Sequence, residues 1–256
     1  MNGLERADRL TVERPDLISL AAMMRFLLLP ILSLVLSPGA WGGEWQSLFD
    51  GQSLKGWRVE SRPEDRGKVF WQVRDGAIFC DSLGRKDHDY IWLVSEPEFD
   101  DFELTLEVRG FAESPGNSGV QFRSRYDAAL GWMHGPQVDV HPPAAWRTGL
   151  IYDETRETRR WIYPSLKDWN IAPSQGPAKW QWDAAGWNRV RLVCEAMMVR
   201  TEVNGIPIAD YDGTGVLDDA AHQSHQVGRK GHLALQLHAK DELRIAYRNI
   251  RVRRLP

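Results

Sequence analysis

Three short stretches of the chain alternate aliphatic residues with side chains that bind ligands or transfer protons. In the clearest one, Val138 and Val140 separate Gln137, Asp139 and His141. The other two stretches, 118–124 and 232–238, carry in the same alternation the polar residues Gln121, Arg123, Gln236 and His238. A period of two is typical of a β-strand that buries one face. We therefore expect these polar side chains to share the exposed face of a sheet.

The residue types on that face suit a binding cleft better than a plain solvated surface. Ordinary wet faces are rich in Lys, Glu and Thr, whereas this face carries amide, guanidinium, carboxylate and imidazole groups. The alternative stays open, because antiparallel sheets often have one wet side. The cleft forms only if the three strands are neighbours in one concave sheet.

Some of these residues could bind a divalent metal ion. Asp139, His141 and His238 together offer carboxylate and imidazole groups, which suit such an ion. The His-Pro pair that begins at His141 matches no recognised ligand spacing, so a metal-free site is the alternative. The other histidines lie in predicted loops or at strand starts, where a solvated or structural role is usual; they are His88, His134, His222, His225 and His232.

Residues that could hold a sugar flank the polar strands. Tyr152, Asp153 and Glu154 end the next predicted strand, although Asp153 and Glu154 could instead pair with the arginines that follow. The chain has 12 Trp, an excess that hints at sugar binding because an indole offers a flat apolar surface. Trp132 and Trp161 are candidate stacking residues, and packing within the loops is the alternative.

The composition is that of a globular protein without a nucleic-acid partner. The chain has 256 residues and a net charge of -3, with both signs interspersed. A nucleic-acid-binding surface needs a basic stripe, and the sequence has none. We therefore expect a carbohydrate partner and no nucleic acid.

The N-terminal segment has the features of a secretion signal. Arg25 precedes the apolar run 26–36, which is too short to span a bilayer and fits the core of a signal peptide. Ala40 and Gly42 fit the small residues of a cleavage site, and Met24 fits the initiator. A buried helix is the alternative. We predict a leader over residues 1–43, a secreted or periplasmic protein, and no stable membrane anchor after cleavage.

The rest of the chain, 44–256, is predicted to be a single all-β domain, a jelly-roll β-sandwich. Turn signals such as Asp75-Gly76 and Asn204-Gly205 separate short runs of period two, and no helical pattern of useful length appears. The segment 164–185 has no period and is interpreted as a long ordered loop. Cys80 and Cys194 could pair or remain two buried thiols. The predicted strands are 70–81, 90–94, 102–110, 118–124, 136–141, 149–152, 188–195, 199–203, 207–211, 232–238 and 242–253.

Six motifs in order resemble one known family. They are SLFDGQSLKGW (47–57), GNSGVQFRS (116–124), GPQVDVHP (135–142), TGLIYDE (148–154), WNRVRLVCE with VNGIPIADYDG (187–213), and GHLALQLHAKDELRIAYRNIRVRRL (231–255). Together they are similar to the 3-keto-disaccharide hydrolase domain family, which has a concanavalin-like jelly-roll fold. The resemblance covers nearly all of 44–256. It implies a secreted or periplasmic protein that cleaves glycosides already oxidised to a ketone at C3.

The chemistry implied by the resemblance begins with loss of the proton on C2, which the C3 ketone acidifies. Elimination of the C1 substituent and addition of water would complete a net hydrolysis. For this reaction we predict Asp139 or His238 as the base, Arg123 or a metal ion as the enolate stabiliser, and His141 as the acid for the leaving group. The predicted substrate-binding residues are Gln121, Gln137, Tyr152, Asp153, Glu154, Trp132 and Trp161.

Two other functions are compatible with the sequence. A non-catalytic carbohydrate-binding module on the same fold would bind sugar through its Trp surfaces and would not need Asp139. A direct glycosidase would need two carboxylates across the bond. Jelly-roll β-glucanases carry these acids as Glu-x-Asp-x-x-Glu on one strand, and that string is missing here.

Overall fold

The aliphatic residues of the alternating strands meet between two β-sheets. The structure is a computed structural model that describes residues 43–167 and 169–256. The predicted leader, with its run 26–36 and its cleavage-site residues, lies outside the described residues. No helix of the described part is long and apolar enough to cross a membrane.

The strands of the described residues are β1 (Gln46–Ser47), β2 (Trp57–Ser61), β3 (Trp71–Arg74), β4 (Ala77–Asp81), β5 (Ile91–Phe99), β6 (Phe102–Gly110), β7 (Ser118–Asp127), β8 (Trp132–His134), β9 (Pro136–Val140), β10 (Ile151–Asp153), β11 (Arg160–Tyr163), β12 (Asn188–Glu195), β13 (Met198–Val203), β14 (Ile206–Asp212), β15 (Gly231–Leu237) and β16 (Arg244–Arg254). One short α-helix, α1 (Ala220–His225), precedes β15. The 3-10 segments are Pro63–Asp65, Pro142–Arg147 and Pro173–Gln175.

Each sheet has eight strands among the described residues. The first sheet has the order β14-β13-β12-β6-β16-β4-β3, with β1 beside β16. The second has the order β11-β10-β9-β7-β15-β5-β2, with β8 beside β7. Strands far apart in the chain, such as β7 and β15, pair antiparallel. This arrangement is an all-β jelly-roll sandwich, which confirms the predicted fold class.

The core lies between the sheets and contains the aliphatic face of the polar strands. Val120, Val138, Val140 and Leu235 are all at most 2% exposed and belong to one hydrophobic cluster. Full burial of such a side chain contributes roughly 1.5–3 kcal/mol. The polar residues between them must therefore point away from the core, because successive strand side chains alternate.

Several elements were missed by the sequence analysis. The short strands β1, β2, β8 and β11 are absent from the predicted strands, and the six-residue helix α1 was not predicted. In α1, the Asp219 carboxylate accepts a hydrogen bond from the amide of His222 at 3.0 Å and so caps the N-terminus. A helix of six residues is too short to show a period of 3.6.

The described part of the segment predicted as a long loop, 164–185, contains one 3-10 segment and no strand. Cys80 on β4 and Cys194 on β12 are two buried free thiols, so the alternative of separate thiols is the correct one. Burial raises the pKa of both, that of Cys194 to about 12.

Removal of a core side chain should destabilise the sandwich. We expect Leu235→Ala to lower the free energy of unfolding by about 2–5 kcal/mol, because it leaves a cavity between the sheets. Leu130→Ala is the matched control, since Leu130 is 42% exposed, and should change it by less than about 0.5 kcal/mol. Urea denaturation measures both values. Equal effects of the two substitutions would contradict the assignment of Leu235 to the core.

Candidate functional site

The three polar stretches found in the sequence lie side by side in the second sheet. Strand β7 lies between β9 and β15, and β10 adjoins β9. In the register, Gln121 is opposite Gln137 on one side and Ala234 on the other. Tyr152 of β10 is opposite Gln137. The expectation that these strands are neighbours is confirmed, and their polar faces form one surface.

A cavity of about 360 Å³ opens on this surface. It falls within the range of about 300–1,000 Å³ that is usual for small-molecule sites. Its lining contains seven of the predicted site residues: Gln137, Asp139, His141, Tyr152, Glu154, Trp161 and His238. The lining also includes Tyr90, Asn117, Arg147, Arg159, Trp169, Asn170 and Ile171. We call this cavity the cleft.

The floor of the cleft depends on a glycine. Gly119 lies opposite Asp139 in the β7–β9 pair. A Cβ atom at Gly119 would lie only 2.1 Å from the side chain of Gln137. The missing side chain therefore lets Gln137 lie across β7, where its Oε1 accepts a hydrogen bond from Gln121 Nε2 at 3.3 Å. Gln121 is fully buried beneath it and supports the floor without lining the cleft.

Asp139 is a buried carboxylate held by an arginine from the following segment. Its side chain is 1% exposed, and its Oδ2 and Oδ1 atoms accept hydrogen bonds from Arg147 Nε at 3.1 Å and Nη2 at 3.3 Å. The 3-10 segment Pro142–Arg147 turns back after β9 and so returns Arg147 to Asp139. Burial raises the pKa of Asp139 to about 6 even though Arg147 opposes the shift.

Of the two histidines that line the cleft, His238, directly after β15, is the one whose pKa is raised. Its Nε2 lies 2.7 Å from the Tyr90 hydroxyl, and its Nδ1 lies 3.5 Å from Asp241 Oδ2. Burial alone would lower the pKa of His238, but the bond to Asp241 and the nearby carboxylate of Glu154 outweigh it and raise the pKa. His238 therefore holds a proton more firmly than an ordinary histidine.

His141 is the opposite case. Burial, together with the Arg147 cation, lowers the pKa of His141 to about 4. Its Nδ1 atom is buried and has no hydrogen-bond partner among the described residues. His141 is therefore neutral at physiological pH and less suited than His238 to donate a proton.

A second buried carboxylate, Glu154, faces the cleft from beyond β10. It is 3% exposed; its Oε1 accepts a hydrogen bond from Gln236 Nε2 at 3.3 Å, and its Oε2 lies 3.7 Å from Arg159 Nε. Burial raises the pKa of Glu154, and Arg159 opposes this shift only in part. The cleft thus places two weakly acidic carboxylates beside two arginines.

Aromatic rings form one wall and the rim of the cleft. Trp161 is 2% exposed and packs edge-on against Tyr152, with ring centroids 5.2 Å apart. Its indole Nε1 donates a hydrogen bond to the carbonyl of Trp169 at 2.8 Å, which attaches the long loop to the wall. Trp169 itself is 70% exposed at the rim, so its ring is accessible to a ligand.

Comparison with known protein families identifies the family of this chain. Residues 44–253 match the family of the 3-keto-alpha-glucoside-1,2-lyase-like domain. The chain belongs to this family. Comparison with curated proteins finds no match.

Two solved structures with this fold cover most of the chain. A candidate glycosyl hydrolase from Parabacteroides distasonis is 16% identical, covers 83% of this chain and 94% of its own, and has a TM-score of 0.54. A structure from work on endo-acting O-glycanases of the human gut microbiota is 16% identical, covers 83% of this chain and 99% of its own, and has a TM-score of 0.52. At these identities the likeness supports the fold alone.

Arg123 does not lie in the cleft of this 3-keto-glucoside lyase-like domain, so its predicted position is wrong. The β7–β15 register shifts beside Phe122, and Arg123 has a φ of 49°, which indicates a bulge. The bulge turns the side chain into the protein, where it is fully buried. Its guanidinium donates to the carbonyls of Asp100 and Ala196, each at 2.6 Å, and therefore joins loops instead of facing a ligand.

Asp153 and Trp132 are two further corrections. Asp153 alternates with Tyr152 and Glu154, so it points away from the cleft; its Oδ1 lies 3.3 Å from His222 Nε2. Trp132 is 4% exposed and donates from Nε1 to the carbonyl of Glu154 at 2.8 Å. It packs behind Tyr90 and Arg159 instead of offering a free stacking surface.

The candidate metal ligands of the cleft do not converge. Within the described residues, the ligand atoms of Asp139, His141 and His238 form no group close enough to share an ion. Both carboxylate oxygens of Asp139 already accept hydrogen bonds from Arg147. This donor set does not fit a metal ion as arranged, so we assign no catalytic step to one.

The two arginines and the tyrosine hydroxyl of the cleft were not predicted from the sequence. Arg147 and Arg159 lie outside the alternating strands, so periodicity could not place them. Tyr90 comes from the segment before β5, which is separated from β7 and β9 in sequence but lies next to β15 in the sheet. Trp169 also lines the cleft, and the only sequence feature that pointed to it is the number of Trp residues in the long loop.

The raised pKa of Asp139 should appear in the pH dependence of stability. Between pH 4 and about 6 the folded state holds a proton on Asp139 that the unfolded state has lost, so Asp139 makes stability fall as pH rises. The fall should total roughly 3 kcal/mol, because each pKa unit corresponds to about 1.4 kcal/mol. We expect Asp139→Asn to remove this component in urea denaturation at pH 4 to 7. Asp75→Asn, in an exposed turn, should retain it, and an unchanged pH slope in Asp139→Asn would contradict the assignment.

Proposed function

We propose that the cleft cleaves glycosides that carry a ketone at C3, by removal of the C2 proton, elimination of the C1 substituent and addition of water. The observation that supports this most is the presence, in one cavity, of a buried carboxylate with a pKa of about 6 and an imidazole with a raised pKa. Membership of the 3-keto-alpha-glucoside-1,2-lyase-like family supports the substrate class.

Asp139 is the proposed base. A base for this reaction has to be ionised at neutral pH and yet accept a proton readily. With a pKa of about 6, Asp139 is mostly ionised at pH 7 and is far more basic than an exposed aspartate. Its burial also keeps water from competing for the carboxylate.

Arg147 takes the role that the sequence analysis gave to Arg123. Loss of the C2 proton forms an enolate, whose negative charge lies on the oxygen bonded to C3, the carbon next to C2. A cation beside the base is therefore well positioned to stabilise that oxygen, and Arg147 contacts both carboxylate oxygens of Asp139. Arg159 and Glu154 remain to hold hydroxyl groups of the sugar.

His238 is the proposed acid for the leaving group. When the enolate reforms the C3 ketone, the C1–O bond breaks and a C1=C2 double bond forms, so the departing oxygen needs a proton. His238 holds a proton more firmly than His141, whose pKa is about 4. The Tyr90 hydroxyl, 2.7 Å from His238 Nε2, positions the ring.

Hydration completes the reaction by the reverse steps. Water adds its oxygen to C1 and gives one proton to His238, and the proton held by Asp139 returns to C2. The products are the free 3-keto sugar and the alcohol. Action on glycosides outside the cytoplasm is part of the proposal and depends on the predicted leader at residues 1–43.

A non-catalytic carbohydrate-binding domain is the second candidate. The exposed ring of Trp169 at the rim favours it, because sugar stacking there needs no acid or base. Under this alternative, Asp139 and Glu154 would act only as hydrogen-bond acceptors for hydroxyl groups.

Incubation with matched substrates distinguishes these functions. We expect purified protein to release the alcohol from 3-keto-glucosides and not from the parent glucosides, with or without a chelator, as measured by chromatography. The reason is that the parent C2 proton is not acidic. Binding without cleavage of either compound would support the binding domain, and cleavage of the parent glucosides would support a direct glycosidase.

Replacement of the base should abolish turnover without unfolding the protein. We expect Asp139→Asn to lower kcat at least about 100-fold, the usual contribution of a general base. Circular dichroism and the melting temperature should show an intact fold. Asp75→Asn serves as the control and should keep wild-type kcat; a fully active Asp139→Asn enzyme would remove Asp139 from the mechanism.

A further inference from the structure

A second group of ionisable side chains lies outside the cleft. Asp127 ends β7, His134 ends β8, and His225 ends α1. One potential ligand atom from each lies within 4.8 Å of those from the other two, and none of the three residues lines the cleft. The antiparallel β7–β8 pair and the packing of α1 bring these three residues together from distant parts of the chain.

His134 is the least solvated member of the group. It is 1% exposed, and its Nε2 atom has no hydrogen-bond partner among the described residues. Buried polar atoms are nearly always partnered, and the other ring nitrogen, Nδ1, accepts a hydrogen bond from the Arg156 amide at 3.5 Å, so Nε2 is the atom left for a ligand.

The other groups supply further donors. The ring of His225 stacks on His134 with centroids 3.6 Å apart, and its Nε2 lies 3.1 Å from Glu157 Oε2. The Oδ1 atom of Asp127 accepts hydrogen bonds from the amides of Ala129 and Leu130, which fix the carboxylate. The group thus combines two imidazoles with the carboxylate of Asp127, and Glu157 contacts His225 from outside the group.

We propose that Asp127, His134 and His225 form a binding site for a divalent transition metal ion, best suited to zinc, with Glu157 holding His225 through its Nε2 atom. Zinc prefers four donors in a tetrahedron and accepts both imidazole and carboxylate. Ligands of one zinc ion lie about 3–4 Å apart. The ligand atoms of the group lie within 4.8 Å of one another, so binding an ion requires them to move closer together and His225 to turn from its stack on His134.

The position of the site indicates a structural role. Glu157 belongs to the segment that also carries Glu154 and Arg159, and both of these line the cleft. An ion at this site would join the β7–β8 hairpin to α1, and the contact of His225 with Glu157 would link it to that segment.

Zinc binding to the full chain tests the site. Chelator-treated protein is dialysed against Zn²⁺, and bound metal is measured by elemental analysis together with the melting temperature. We expect one ion per chain at saturation and a higher melting temperature. His225→Ala and Asp127→Asn should each weaken binding at least tenfold and reduce the thermal shift. Both residues are partly exposed, so these variants are expected to fold.

Two controls separate this site from other histidines and from the cleft. His232→Ala, outside the group, and Asp139→Asn, in the cleft, should both bind zinc as the wild type does. Failure of the wild type to bind zinc would overturn the proposal. So would unchanged binding in His225→Ala and Asp127→Asn, or a loss of binding confined to Asp139→Asn.

Discussion

Burial of the aliphatic faces of β7, β9 and β15 against the first sheet is the constraint from which the site follows. Once Val120, Val138, Val140 and Leu235 lie in the core, the alternate side chains in the regular parts of these strands must point to the opposite face. Because the strands are neighbours, those side chains share one surface. The same hydrophobic burial that stabilises the sandwich therefore orients Gln137 and Asp139.

The surface becomes a reactive cleft only because its charges are buried. An exposed aspartate on a wet sheet would keep an ordinary pKa, whereas Asp139 at 1% exposure has a pKa of about 6. Burial of a carboxylate is unfavourable unless it is paired, and Arg147 supplies the partner. Glu154 and Arg159 repeat the arrangement on the other side of the cleft. In both pairs the cation comes from outside the strands.

Other polar residues of the same elements hold the sandwich together. Arg123 joins the loops at Asp100 and Ala196, and Asp153 accepts from Thr155 and lies beside His222 of α1. These buried groups are hydrogen-bonded, as the energetics of burial require. Residue type alone does not separate them from Asp139 or Glu154, because both sets are charged, buried and close in sequence.

The sequence by itself determined the jelly-roll fold, the family and the strands that carry the site, because alternation and turn chemistry are local properties. It also determined which residues of β9 and its end face the cleft, since Gln137, Asp139 and His141 occupy alternate positions and so lie on the same face. Only the tertiary structure decided which cations face the cleft, because Arg147 and Arg159 arrive from loops. The tertiary structure also showed that Arg123 is not a cleft residue. A β-bulge turns its side chain to the other face, and the alternation of apolar and polar residues in the sequence does not reveal the bulge. The grouping of Asp127, His134 and His225 likewise depends on how α1 packs, and no periodicity encodes that contact.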